Sequence, residues 1–302
     1  MKIYDLIIVG AGPAGITASV YAARKRIDFL VVTGDIGGQT AWSGDIENYT
    51  GYQFVTGPEL VRKFEEHMRS YDANVKEGEG VIEVERLGEV ISIKTNHAHE
   101  YQARTVIIAS GKRSKELGVP GEKEFKNKGV TYCATCDGPL FSGKTVAVIG
   151  GGNSALDAAL QLERIARKVY IINNASRLRG DTIMRQKVEK SGNVEILNES
   201  AVITILGDKF VNSLTVKSGK EERSLAVEGI FVEIGLKPNS DFVKAVEKND
   251  LGEIKVNNRN ETNVPGIFAA GDVTDVPEKQ IVIAAGEGSK ACLSAFRYLA
   301  QH

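Results

Sequence analysis

Leu6-Ile7-Ile8-Val9-Gly10-Ala11-Gly12-Pro13-Ala14-Gly15 is an apolar run that breaks into three spaced glycines. The pattern predicts a buried strand over 5–9, a tight turn, a helix over 13–26 and a second strand over 29–32. Gly10 permits the strand-to-helix turn, Gly12 lets a pyrophosphate approach the backbone, and Gly15 lets helix and strand pack closely. The helix N-terminus then offers unpaired N–H groups and a partial positive charge to phosphates. Ile16, Val20 and Ala23 fall at helical spacing and give that helix a face to lay on a sheet.

The same design recurs further along. Gly150-Gly151-Gly152-Asn153-Ser154-Ala155 follows Val146-Ala147-Val148-Ile149 and precedes a predicted helix over 154–166 and a strand over 169–172. One glycine fingerprint is a weak signal. Two of them form an internal repeat and predict two dinucleotide sites, one per domain.

Between and after the repeats, 81–84 and 90–94 alternate as an antiparallel layer would, and 105–109 reads as an apolar strand. The lysine- and glycine-rich stretch 112–128 reads as a linker, and Gly235-Leu236-Lys237-Pro238-Asn239 as a second crossover. A final strand over 266–272 and a closing helix over 283–299 complete the first domain if the tail returns to it. The expected architecture is α/β, with two Rossmann-like dinucleotide-binding domains, the second inserted in the first. The expected boundaries are 1–113 plus 240–302 for the outer domain and 114–239 for the inserted one.

The 302 residues, 42% hydrophobic and 25% charged, suit a globular protein of two domains. A net charge of −1 favours neither nucleic acid nor an anionic membrane as partner. No apolar stretch approaches the roughly 20 residues that span a bilayer. Met1-Lys2-Ile3-Tyr4-Asp5 runs straight into a strand-like segment and does not read as a signal peptide, so the cytoplasm is the expected compartment.

At the first turn, the acid expected at the end of the second strand is missing. Thr33 stands there, with Asp35 two residues on. Gly37-Gly38-Gln39 would let backbone approach a flat ring. Asp272, after the apolar strand, can accept hydrogen bonds from a polyol, and Lys279-Gln280-Ile281 opens a helix toward the same place.

Cys133-Ala134-Thr135-Cys136 has the spacing of a redox pair or of half a zinc site. Zinc needs about four ligands, and Cys292, His67, His97, His99 and His302 are not spaced as a second pair. A cycling dithiol is the favoured reading. Asp137 follows the pair and is placed to supply the proton a leaving thiol needs. Cys292, among alanines and leucines, reads as a small core residue.

Assembled, these pieces resemble the low-molecular-weight thioredoxin reductase family over essentially the whole chain. The resemblance rests on GAGPAG from Gly10, GGQ from Gly37, IENYTG from Ile46, GVTYCATCDGPLF from Gly129, GGGNSA from Gly150, and GIFAAGDVTD with KQIVIAAGEG from Gly266 to Gly288. Several pieces are equally similar to the flavoprotein subunit of alkyl hydroperoxide reductase, which carries an extra N-terminal thioredoxin-like module. This sequence starts at the first glycine-turn domain, so an external thioredoxin or glutaredoxin-like protein is the expected electron acceptor.

The resemblance implies FAD held by Gly10, Gly12, Gly15, Gln39, Asn48, Asp272, Gln280 and Ile281. It implies that Cys136 faces the flavin, Cys133 exchanges with the partner, and Asp137 is the acid. It also implies a homodimer, with NAD(P)H contacts at Gly150, Gly152, Ser154, Ala155, Asn173, Arg177 and Arg179. Family members that use NADPH carry His-Arg-Arg-x-x-x-Arg after the second strand of the inserted domain. Here the stretch is Asn173-Asn174-Ala175-Ser176-Arg177-Leu178-Arg179, so two phosphate-gripping arginines are replaced. NADH, NADPH and ferredoxin are all open as donor at this point, with NADH ahead of NADPH. A flavin-dependent dithiol oxidase is the other enzymatic reading.

Overall fold

The structure is a computed structural model that describes residues 2–43 and 45–301. His302, weighed above as a metal ligand, and the side chain of Cys136 lie outside the described residues. The chain divides into two compact units, Met1–Arg113 with Lys237–His302, and Ser114–Leu236.

In the first unit the parallel strands run in the order Val75–Glu77, Phe29–Ile36, Ile3–Ala11, Glu100–Ile108, and Ile267–Ala269 adds in parallel to Glu100–Ile108. Val90–Thr95 and Val81–Leu87 extend the same sheet antiparallel, as the alternating sequence predicts. Leu6, Ile7 and Ile8 are fully buried, because both faces of the central strand are covered. One face carries α1 (Pro13–Arg24) and, from later in the chain, the long helix Ile281–Gln301. Small residues set how closely these two helices pack. A Cβ on Gly288 would lie 2.0 Å from the Ala14 carbonyl oxygen, so only glycine fits there. Pro13 sits at the start of α1, where its missing N–H costs nothing. A further helix, α2 (Gly57–Arg69), starts on a capping box: the Thr56 hydroxyl accepts from the Glu59 N–H while the Glu59 carboxylate accepts from the Thr56 N–H.

The second unit is built on five parallel strands in the order Val130–Thr131, Gly229–Val232, Thr145–Ile149, Lys168–Ile172, Val194–Leu197. The short helical turn α3 (Ala134–Asp137), α4 (Asn153–Leu162) and α5 (Thr182–Lys190) belong to this unit. Alternate strand residues bury to opposite faces. Val146, Val148, Val169 and Ile171 pack with Leu156, Ala159, Leu162 and Val188 of the helices. Ala147, Ile149 and Ile172 pack instead with Ile205, Leu214 and Val216 of an antiparallel meander, Ser200–Gly207, Val211–Ser218 and Glu221–Ala226. That period of two is what a sheet covered on both faces requires. The helix Ile281–Gln301, α6, closes the chain order.

The stretch read as a linker is partly ordered as a strand, Lys112–Ser114, and the second crossover holds the strand Leu236–Pro238. On the first unit's side, Asn239 ties the two chain crossings together: its N–H donates to the Gly111 carbonyl at 2.9 Å, and its side-chain amide donates to the Ser110 carbonyl at 2.8 Å. Among the described residues, no helix is long and apolar enough to cross a membrane, and no cluster of three His, Cys, Asp or Glu is placed to hold a metal.

Candidate active site

A cleft of about 870 Å³ opens in the first unit where the glycine turn meets the end of the sheet. Gly10 holds φ +102°, and a Cβ there would meet the Ala109 carbonyl oxygen at 2.4 Å. A Cβ on Gly15 would sit 1.9 Å from the Gly10 carbonyl oxygen. Gly12 is unobstructed and caps α1 with no side-chain bond, and no acid stands in the first helical turn. The turn therefore presents bare N–H groups to the cleft, which suits an anion.

Gln39, Asn48, Asp272, Gln280 and Ile281 all line this cleft with Gly10 and Gly12. The Gln39 amide donates to the Lys112 carbonyl at 3.0 Å, and the Asn48 amide to Gln280 Oε1 at 3.1 Å. Thr33, at the position where an acid was expected, is buried. Its hydroxyl accepts from the Ala11 N–H at 3.1 Å and fixes the turn internally, which leaves Asp35 as the acid on the rim of the cleft.

Asp272 has no hydrogen-bond partner among the described residues. Burial raises its carboxyl above the ordinary range, against the pull of Lys279 and Lys112. Those two lysines also line the cleft, and both pair with the buried Glu253, at 3.1 and 2.9 Å. Burial would push Glu253 up, but the bonds from Lys112, Asn249 and Lys279 win and bring it down to about 2. At the far end Glu79 is buried under Tyr101 and His99, whose Nδ1 lies 3.0 Å away. Burial again opposes ionisation there, and the His99 and Tyr101 bonds overcome it, so Glu79 is held below the usual range.

In the second unit, Gly150 holds φ +138°, and a Cβ on it would meet the Glu233 carbonyl oxygen at 2.2 Å. Gly152 caps α4 without a side-chain bond, and Gly152, Asn153 and Ser154 are exposed while Ala155 is buried. Asn173, expected to meet a ribose, is buried beneath Gly151. Its amide donates to the Ala175 carbonyl at 3.0 Å and to Asn198 Oδ1 at 2.8 Å, and its oxygen accepts from the Ala175 N–H at 3.2 Å. It shapes the loop from within. Arg177 and Arg179 are exposed beside it, and neither guanidinium enters an ion pair among the described residues. The Arg179 N–H donates to the Gly151 carbonyl at 2.7 Å, which keeps this loop against the turn.

Cys133 is in a disulfide and directly precedes α3, which contains Cys136 in its backbone. The Thr131 hydroxyl accepts from the Cys133 N–H at 3.3 Å and donates to the Asp137 carboxylate, so the acid is held on the dithiol turn. Cys292 is fully buried in the first unit, and burial pushes its thiol up to about 12. Sequence reasoning missed Glu233, a half-buried acid just past the strand Gly229–Val232 whose carboxylate accepts from the Ala134 N–H. An acid ending an otherwise apolar strand was the available signal.

Residues 4–288 match the model of the pyridine nucleotide-disulphide oxidoreductases. The chain belongs to that family. It is 45% identical to the F subunit of alkyl hydroperoxide reductase from Pseudomonas aeruginosa, over 98% of this chain but 58% of the relative's length. It is 40% identical to a Bacillus subtilis protein named NADH dehydrogenase, again over 98% of this chain and 58% of the other. The chain thus spans under two thirds of the curated relatives it matches. Among solved structures, thioredoxin reductase from Lactococcus lactis superposes with a TM-score of 0.88 at 35% identity, covering 99% of this chain and 100% of that one.

The family's thioredoxin reductases and alkyl hydroperoxide reductase flavoproteins use FAD and NAD(P)H. The first unit's cleft fits the larger group. Its glycine cradle leaves no room for a Cβ at Gly10 or Gly15, and its unpartnered Asp272 carboxylate is free to accept from ribityl hydroxyls. The pairing of Lys112 and Lys279 on the buried Glu253 was announced by neither motif nor spacing.

Proposed function

We propose that the chain is a flavin-linked disulfide reductase that takes electrons from NADH and delivers them through Cys133 and Cys136 to the disulfide of a thioredoxin- or glutaredoxin-like protein. The observation that carries this reading is the pairing of two capless glycine turns with a dithiol turn that holds its own acid, Asp137. FAD, bound in the first unit, would supply the step between two-electron hydride chemistry and the disulfide.

The chain's own residues do the rest. The α1 N-terminus and Gly12 receive the pyrophosphate, Asp272 orients the ribityl chain, and Asn48 and Gln280 brace one another on the cleft wall. Gly150, Gly152, Ser154 and Ala155 offer the equivalent N–H groups to the nicotinamide nucleotide. At the dithiol, Cys133 is the exchanging sulfur: its thiolate attacks the partner disulfide and forms a mixed disulfide. Cys136 then attacks Cys133, closing the internal disulfide and releasing the partner's second thiolate. Asp137 supplies a proton to a leaving thiolate. NADH is favoured because Asn174 and Ala175 provide no charge for a 2′-phosphate, and a relative named NADH dehydrogenase supports the same donor.

Anaerobic titration of the yellow holoenzyme with NADH, NADPH and reduced ferredoxin in turn tests the donor. NADH should bleach the flavin at the lowest concentration. Bleaching by ferredoxin alone would overturn the donor assignment. Cys136→Ser should stop electrons leaving the flavin for the disulfide, whereas Cys133→Ser should stop exchange with the partner only. A stable mixed disulfide formed when the Cys136→Ser enzyme, with Cys133 reduced, meets oxidised thioredoxin would show Cys133 as the attacking sulfur.

A further inference from the structure

Glu233 is a half-buried carboxyl that the proposed reaction does not use. It stands one residue past the strand Gly229–Val232, where its N–H donates to the Ile149 carbonyl at 2.8 Å and its own carbonyl abuts Gly150. Its carboxylate accepts from the N–H of Ala134, the residue next to Cys133. Among the described residues it enters no ion pair. The titratable group facing it from α4 is Asp157, a second acid, which accepts from the Gln161 amide at 2.7 Å while Gln161 Oε1 accepts from the Thr135 hydroxyl at 2.9 Å. Asp137, the other acid on the dithiol turn, is engaged by Thr131. Two carboxyls from two elements therefore converge on the turn that carries the dithiol, and among the described residues no cation is paired to Glu233.

Such an arrangement opposes a thiolate. A charged carboxylate held near a sulfur disfavours the thiolate by like-charge repulsion. An ionised Glu233 accepts from the Ala134 N–H, next to Cys133, and supplies that charge. The repulsion disappears when Glu233 carries a proton.

We propose that Glu233 is a positioning residue for the dithiol, holding back the Cys133 thiolate by like-charge repulsion whenever its carboxylate is ionised. The proposal rests on Cys133 being the exchanging sulfur, as above. The thiolate and the carboxylate then titrate as a coupled pair rather than singly. Burial first, and the Asp157 charge second, push Glu233 up to about 7, so the coupling falls where the protein would work. The exchange is otherwise unchanged: two electrons and two protons leave the dithiol for the partner disulfide, and Glu233 ends with the proton it began with.

The test uses holoenzyme of the Cys136→Ser variant, in which Cys133 is the accessible thiol and Cys292 is buried. Iodoacetamide alkylation of Cys133 is followed against pH by mass spectrometry. No electron donor or partner protein is needed, so this measurement stands apart from the donor and acceptor assignments. The profile should show two coupled steps. Adding Glu233→Gln, which keeps an acceptor for the Ala134 N–H but removes the charge, should leave a single step at lower pH. Each unit of that shift gives about tenfold faster alkylation between the Glu233 step and the thiol's own pKa. A profile that is unmoved or moves upward overturns the proposal. If the Gln variant does not fold, Asp157→Asn decides: it should bring the first step to lower pH, and an unmoved first step rejects the coupling.

Discussion

The turn from Gly10 and the turn from Gly150 begin alike. Each has a leading glycine at positive φ jammed against a neighbouring strand's carbonyl, and each ends on a glycine that caps a helix with no side-chain bond. Their surroundings differ. The first opens into a cleft of about 870 Å³ walled by Asp272 and by two lysines, Lys112 and Lys279, that pair with the buried Glu253. The second presents Gly152, Asn153 and Ser154 exposed, beside a loop whose arginines are also exposed. One fingerprint can thus serve two residence times. Deep walls and desolvated charge suit a group that stays, whereas an open turn suits one that arrives, reacts and leaves.

The largest expected effect falls on the deep site. Gly15→Val would drive a side chain into the Gly10 carbonyl, 1.9 Å from an ideal Cβ, and the purified protein should lose its flavin absorbance. A yellow variant with full flavin content would break the contrast between the two turns. Asp272→Ala removes a charged acceptor, whose hydrogen bonds contribute about 1.5–3 kcal/mol, so FAD should bind roughly 10- to 150-fold more weakly by fluorescence titration.

At the open site the effects should concern choice of nucleotide rather than retention. Asn174→Arg with Ala175→Arg should raise the kcat/KM ratio of NADPH over NADH by at least about tenfold, the value of one charge-assisted phosphate contact. No change would mean that the adenosine end lies elsewhere.

Glu253 sets a lower pH limit to the stability of the deep site. Its folded pKa, about 2, lies below the ordinary value of 4.5, so its contribution to stability is complete above about pH 4.5. That contribution fades as pH falls toward 2. Flavin release on acidification should steepen in that window, and Glu253→Gln should flatten it while weakening the protein at neutral pH. The smallest effect belongs to Gly152→Ala. Nothing lies within 4 Å of its Cβ, so stability should stay within about 0.5 kcal/mol by thermal unfolding.

What was legible from residues alone followed short-range rules. Both strand–turn–helix–strand repeats stand where glycine spacing and apolar periodicity put them, although the second helix starts at Asn153 and ends at Leu162, short of the expected 166. The cysteine spacing located the dithiol turn, and Asp137 sits on it. What was not legible depends on contacts distant in sequence. Lys112 read as part of a linker, yet it meets Glu253 across 141 positions. Asn173 read as a ribose contact, but its three hydrogen bonds to Ala175 and Asn198 are visible only once the loop has folded. The meander of the second unit carries ordinary alternating strands, and nothing local says which face of which sheet they cover.

The close approach of Gly288 to Ala14 has a consequence for synthesis. Residues 114–236 are contiguous, so the inserted unit can complete its sheet while the ribosome is still translating. The cleft cannot. Its lining residues Ala270, Gly271 and Asp272 and the helix Ile281–Gln301 that buttresses the first glycine turn all emerge after the inserted unit. Until they arrive, the opening βαβ segment has an uncovered apolar face and no partner to cover it. The nascent chain must therefore hold the earlier segment until the later one emerges, and the cleft is complete only when the two meet.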